Sequence, residues 1–244
     1  MTDAPTSTPG APGQATLSDT PLVVAIDGPS GSGKSSTARG VASRLGLSYL
    51  DTGAMYRAAT WLAVHEGLDL DDTDAVATLV AGAQLVLALD PAHQGVTIEG
   101  HDVTAAIREP AVSAAVSAVA TNLAVRADLV ARQKQVIADA ADGIVAEGRD
   151  ITTVVAPEAP VRVLLVADPA ARVARRHAEL GEHVDADDVH DQVVRRDRDD
   201  STVAAFHDAA PGVTVLDSTE LTLEQVVDAI CALVPAAYDP AVAR

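Results

Sequence analysis

The chain has 244 residues, enough for one sizeable α/β core, with or without a small insert. A formal net charge of −18 disfavours broad attraction to nucleic acid or anionic lipid, so any polyanion must be held in a locally basic pocket. The single cysteine, Cys231, excludes an intramolecular disulfide and a thiolate metal cluster.

No apolar run approaches the roughly 18 residues that span a bilayer, and the first residues lack a basic-then-apolar export signal. A reducing cytoplasm is the expected setting, with no membrane partner. With 2% aromatic residues there is no stacking platform for bases, and no nucleic-acid partner is expected. Only Lys34 and Lys134 are lysines, and the remaining basic residues are arginines, whose planar forks suit phosphate.

Residues 1–20 are rich in Pro, Thr, Ser, Gly and Ala without hydrophobic period, which predicts a disordered tail and a folded part from Pro21. Leu22 to Ile26 reads as a buried strand. It runs into Gly28-Pro29-Ser30-Gly31-Ser32-Gly33-Lys34-Ser35-Ser36, the P-loop pattern, whose backbone N–H groups wrap a polyphosphate while Lys34 reaches the transferable phosphates. The glycines let the main chain approach phosphate closely. Ser35 stands where its hydroxyl can ligate Mg²⁺. A helix is predicted over Ser36 to Leu45, stopped by Gly46.

Ser48 to Leu50 predicts a second strand, followed by Asp51-Thr-Gly-Ala-Met-Tyr-Arg57. Thr52 is expected to cap the next helix, with Arg57 reaching an anion over the sheet edge. Ala83 to Leu89, Gly95 to Glu99 and His101 to Val103 read as short strands joined by turns, hence a small antiparallel insert, about residues 82–108. Ile144 to Ala146 predicts a strand ending in Glu147-Gly148-Arg149-Asp150, charges set where such folds bind ligands. Glu147 is placed to hold the water shell of Mg²⁺.

Val161 to Val166 leads into a helix on which Arg172 and Arg176 share a face and can close over a triphosphate. A glycine turn follows, so residues of about 168–185 form a candidate helical lid. Arg196 and Asp200, four apart, can meet on the next helix. Val213 to Leu216 is the last predicted strand, and Glu224 to Val234 an apolar helix holding Cys231. Strands alternating with helices predict a parallel sheet covered on both faces. The histidines have no ligand spacing, and His65 and His207 read as surface or packing residues.

Five ordered segments, DGPSGSGKSS (27–36), LDTGAMYRA (50–58), EGRDITTVV (147–155), ARVARR (171–176) and RRDRDDS (195–201), resemble the motifs of bacterial cytidylate kinases, from residue 21 to about 234. The resemblance implies a P-loop kinase fold with the insert binding the monophosphate, and transfer of the γ-phosphoryl group of ATP, with Mg²⁺, to CMP or dCMP, by a monomer. It also implies roles. Gly28 to Ser36 would cradle ATP, and Arg57 and Arg149 would grip the acceptor phosphate. Thr52, Arg126 and Asp150 would face the cytosine, while Ser117, Arg196 and Asp200 would address the sugar. Arg172, Arg175 and Arg176 correspond to the family's lid arginines.

Two positions depart from the family pattern: Val203 stands for an arginine that helps hold the base, and Thr152 for a glycine. Arg198 is a candidate to compensate for the first. Other readings remain: a P-loop kinase for another acceptor, such as UMP or shikimate, or a nucleotide switch. The Asn-Lys-x-Asp segment of switch GTPases is absent from the sequence.

Overall fold

The computed structural model describes residues 20–180, 195, 197–204 and 208–238. The predicted tail before Thr20, residues 181–185 of the predicted lid, Arg196 and His207 lie outside the described residues.

In chain order the elements are β1 (Val23–Asp27), α1 (Lys34–Leu45), β2 (Ser48–Asp51), α2 (Thr52–His65) and α3 (Thr73–Gly82). There follow β3 (Leu85–Leu87), β4 (Val96–Ile98), β5 (His101–Asp102), a 3₁₀ turn (Ala106–Arg108), α4 (Pro110–Ala120) and α5 (Leu123–Asp139). The chain continues through β6 (Ile144–Gly148), a π-helical turn (Ile151–Val155), β7 (Val161–Val166), α6 (Pro169–Leu180), β8 (Thr214–Asp217), α7 (Leu223–Cys231) and a final 3₁₀ turn (Ala236–Tyr238).

The main sheet is parallel in the order β2-β6-β1-β7-β8. Alternate residues of β1 feed opposite faces, as the period of two along a strand requires. Val24 and Ile26 pack with Val41 of α1, Leu165 of β7 and Ile230 of α7. Ala25 faces the other layer, with Met55 of α2, Val80 of α3, Val119 of α4 and Leu129 of α5. Both faces are therefore covered by helices, which is why the central strands read as continuous apolar runs.

The insert is a three-stranded antiparallel sheet in the order β3-β4-β5, with the predicted strands trimmed to their paired residues. Ile98, Val103 and Ile107 pack on Ala58 and Leu62 of α2, so the insert rides on the helix that follows β2. His65 stacks on Trp61 with ring centroids 4.6 Å apart, which makes it a packing residue of this junction. Among the described residues no single helix is long and apolar enough to cross a membrane, and the apolar pair α4 and α5 is bent by 100°.

Register fixes what meets at the carboxyl edge. Asp51 of β2 pairs with Glu147 of β6, which pairs in turn with Ile26 of β1, while Asp27 pairs with Gly148. Three carboxylates distant in sequence thus arrive at one edge, beside the N-termini of α1 and α2.

Candidate active site

The P-loop leaves β1 and enters α1 at Lys34. Gly31 takes φ +74°, and a Cβ there would lie 2.5 Å from the carbonyl oxygen of Arg172, so only glycine lets α6 settle on the loop crest. The Lys34 ammonium donates to the Pro29 carbonyl at 2.7 Å. The Gly28 carbonyl accepts from Arg149 Nη1 at 2.9 Å, and that of Ser32 accepts from Arg175 Nη1 at 3.3 Å. The outward carbonyls of the loop therefore hold cations around it.

An open cleft of about 970 Å³ lies over this edge. Ser30, Gly31, Gly33, Lys34, Ser35 and Ser36 line its loop side. Thr52, Arg57, Arg126, Glu147, Arg149, Asp150, Arg176 and Asp200 line the remainder, together with Asp51 and Tyr56. In a chain of net charge −18 this gathers Lys34 and four arginines into one space, where they outnumber the carboxylates of Asp51, Glu147, Asp150 and Asp200 by one and offer a polyanion its cationic partners.

Some sequence expectations change. Asp51, not Thr52, caps α2: its Oδ1 accepts the Ala54 N–H at 2.8 Å. Thr52 is the first helical residue, and its hydroxyl donates to the Glu147 carbonyl at 2.7 Å, locking β2 to β6. Gly28, Pro29 and Ser32 stand behind the cleft wall and do not line it. Ser117 does not line it either. The packed positions of α4 include Val116, and at about 100° per residue Ser117 is rotated off that face, leaving Val116 and Ala120 in the wall.

Arg172 and Arg176 divide their work. Arg176 lines the cleft, whereas Arg172 Nη1 donates to the Ser30 carbonyl at 3.0 Å and to Asp197. Arg175 is fixed by Ser218, with Nη1 to Oγ at 2.9 Å and Nη2 to the carbonyl at 2.6 Å. Asp200 meets Arg149 at 3.2 Å. Arg198 does not compensate for Val203: its side chain is 75% exposed and pairs with neighbouring Asp199, and it is Ala204 that reaches the cleft.

Electrostatics separate the carboxylates. Burial pushes the Glu147 carboxyl up, and the charge of Asp51 beside it adds to this, against Lys34 and the Ser35 hydroxyl. Burial also raises Asp27 and Asp150, the first opposed chiefly by Thr152 and the second by Arg126. Burial works on Asp51 in the same direction, but Arg57, Arg108 and the Ala54 N–H outweigh it and hold that carboxyl below the usual range. Burial pushes the Tyr56 phenol up to about 12, so it stays a neutral donor at the cleft wall.

Position-specific pairs complete the site. Arg57 Nη2 donates to Asp51 Oδ2 at 2.9 Å, while its Nε is buried without a partner among the described residues. Arg126 pairs with Asp150 and lies 5.8 Å from the Tyr56 ring centroid. Asp27 accepts from Ile151 N at 2.9 Å, Thr152 N at 2.8 Å and Thr152 Oγ1 at 2.6 Å. Threonine at 152 therefore fastens the loop that carries Asp150 to the strand that carries the P-loop.

Sequence reasoning missed the parts played by Asp27, Asp51, Asp197 and Ser218. Asp27 and Asp51 end apolar strands, a signal already used for Glu147. Asp197 lies inside the RRDRDDS segment without standing out in it, and nothing local marks Ser218; the partners of both are distant in the chain.

A P-loop at the carboxyl edge of a parallel sheet, faced by arginines from α2, from α5 and from the residue after β6, defines the P-loop small-molecule kinases. The family profile described as cytidylate kinase matches residues 24–236. A cytidylate kinase of Cutibacterium acnes is 60% identical over 220 residues, covering 90% of this chain and 98% of that protein. One of Nocardia farcinica is 47% identical, covering 88% and 94%. Another, of Streptomyces avermitilis, is 42% identical, covering 87% and 92%. The chain belongs to the cytidylate kinase family.

Proposed function

We propose that this chain transfers the γ-phosphoryl group of ATP to CMP or dCMP, giving CDP or dCDP and ADP, as a cytoplasmic monomer acting on free nucleotides. The observation that carries the reading is the meeting, in one cleft, of the P-loop residues Lys34 and Ser35 with Arg57, Arg149 and the Arg126–Asp150 pair.

The P-loop backbone and Lys34 hold the triphosphate, with Lys34 turning from the Pro29 carbonyl to the β- and γ-phosphates. Arg57 and Arg149 grip the acceptor phosphate. Asp51 fixes Arg57 through Nη2 while the guanidinium lines the cleft. Arg126 and Asp150 read the cytosine, Asp150 accepting from the exocyclic amine and Arg126 donating to the ring acceptors, with Thr52 beside them. Asp200, with Arg196, addresses the sugar. Arg176 neutralises charge on the transferring group, and Arg172 supports it.

Among the described residues no three His, Cys, Asp or Glu side chains form a metal cage. The Ser35 hydroxyl lies 2.6 Å from Glu147 Oε1, a pair of hard oxygen donors in which burial makes the carboxylate unfavourable without a nearby cation. This suits Mg²⁺, which is ordinarily held by one or two protein oxygens, phosphates and water. Ser35 would hold it directly and Glu147 through water, and when bound it supplies charge neutralisation across the phosphates. Alignment of donor and acceptor by the arginines supplies much of the remainder, since phosphoryl transfer asks little of a general base.

The test is ATP consumption over CMP, dCMP, UMP, AMP, GMP and shikimate, with Lys34→Ala as control. Turnover with CMP and dCMP well above the others, abolished in Lys34→Ala, is expected. Preference for another acceptor overturns the substrate, and full activity of Lys34→Ala overturns the donor site.

A further inference from the structure

Asp197 lies on the helical turn 197–200, its side chain 8% exposed, and the proposed reaction assigns it no part. Its Oδ1 accepts the N–H of Ser30, at the crest of the P-loop, at 2.9 Å. Its Oδ2 accepts from Arg172 Nη1 of α6, and that same Nη1 donates to the Ser30 carbonyl at 3.0 Å. Arg149 Nη2, from the end of β6, stands 3.8 Å from Oδ1. One carboxylate therefore touches both polar groups of the crest, one directly and one through Arg172, and faces an arginine from each side of the site.

The division of donors on Arg172 is informative. Nη1 is spent on Ser30 and Asp197, while Nε is buried without a partner among the described residues. A carboxylate that takes one corner of a guanidinium fixes its plane and leaves the other donors for an anion. Asp200, three residues on, accepts from Arg149 Nε at 3.2 Å.

We propose that Asp197 is a positioning residue for phosphoryl transfer: it is the shared counter-ion that sets Arg172 and Arg149 in register with the Ser30 crest of the donor loop. This rests on the kinase reading above. Asp197 touches neither nucleotide. It acts through the arginines, so its loss is felt in the alignment of the transferring group more than in nucleotide affinity. A misplacement of about 1 Å in such a site costs on the order of 100-fold in rate.

The experiment is steady-state kinetics of wild type, Asp197→Asn, Arg172→Ala and the double variant, with Asp197→Glu as a second probe. In Asp197→Asn the amide has one acceptor, so whichever way it turns a donor faces Ser30 N–H or Arg172 Nη1. Its kcat is expected to fall by about 10- to 100-fold, with KM for ATP and for CMP within about threefold of wild type.

On the Arg172→Ala background the same substitution is expected to cost at least about threefold less than in wild type, because one of the two arginines through which it acts is gone. Asp197→Glu keeps the charge on a longer arm and is expected to fold and to lose an intermediate factor with the same non-additivity. This variant carries the test if Asp197→Asn does not fold. An unchanged kcat in both variants, a loss expressed in KM, or an equal loss in both Arg172 backgrounds overturns the proposal. A wild type inactive with CMP instead overturns the kinase reading and is seen before any variant is compared.

Discussion

Asp51→Asn separates two duties of one buried side chain. The carboxylate is 7% exposed, caps α2 through Ala54 N–H at 2.8 Å, and holds Arg57 Nη2 at 2.9 Å, with Arg108 Nη2 of the insert at 3.8 Å. Asparagine caps a helix as well as aspartate, so the cap itself should change by only a few tenths of a kcal/mol. What is lost is the charge that fixes Arg57. Removing one partner of a buried pair outright costs about 3–5 kcal/mol. The amide oxygen still accepts one hydrogen bond, so about 2 kcal/mol is the expected loss. If that falls on the alignment of Arg57 toward the acceptor phosphate, KM for CMP rises about 30-fold, at 1.4 kcal/mol per factor of ten, with kcat within about threefold.

The pH dependence supplies a second reading of the same variant. The folded Asp51 carboxyl sits below its usual range, so it contributes stability above the ordinary carboxylate pKa that is lost as pH falls through the lowered one. Asp51→Asn should therefore unfold with a shallower acid dependence than wild type. Steady-state kinetics against CMP and urea unfolding at neutral and acid pH decide the matter. An unchanged KM beside a lowered midpoint would leave the Asp51–Arg57 pair a structural ion pair alone, and a lowered KM would make Asp51 a competitor of the phosphate for Arg57.

The remaining predictions concern the loop, its anchor and the base. Gly31→Ala puts a Cβ 2.5 Å from the Arg172 carbonyl at φ +74°, so α6 must lift from the crest. Turnover is expected to fall at least tenfold with the fold retained by circular dichroism, and near-wild-type kcat would show that α6 need not sit there. Thr152→Val removes one of three hydrogen bonds to Asp27 and should cost about 1 kcal/mol. Burial already raises this carboxyl, and losing the bond raises it further. The folded state is then penalised more once the group ionises, so the destabilisation in urea should be larger at pH 7 than at pH 5, and equal values would refute the link. Asp150→Asn is expected to lower the ratio of CMP to UMP turnover, because an amide can present a donor to the cytosine amine. An unchanged ratio removes Asp150 from base recognition.

The sequence was most readable where function depends on neighbours in the chain. The P-loop is one strand, one turn and one helix start, so its residue types and spacing suffice to place it. The same is true of Glu147 to Asp150 at a strand end and of Arg57 one turn into a helix. It was less readable for helix faces. Arg172 and Arg176 share a face by spacing, yet α6 docks so that Arg172 meets Ser30 and Asp197 while Arg176 lines the cleft. Ser117 was displaced from the site by the same cause, the rotation of α4 about its axis.

By itself, then, the order of motifs determined the alternating α/β fold and the donor loop, because local backbone preference and apolar period act over a few residues. Only the tertiary structure decided which carboxylates stand together. The register of β2, β6 and β1 sets Asp51 beside Glu147 and Asp27 opposite Gly148, and the helical turn at 197–200 brings Asp197 to a loop 167 residues away in sequence. Strand register and helix rotation are settled by burying both faces of one sheet at once, a condition that no short segment can express.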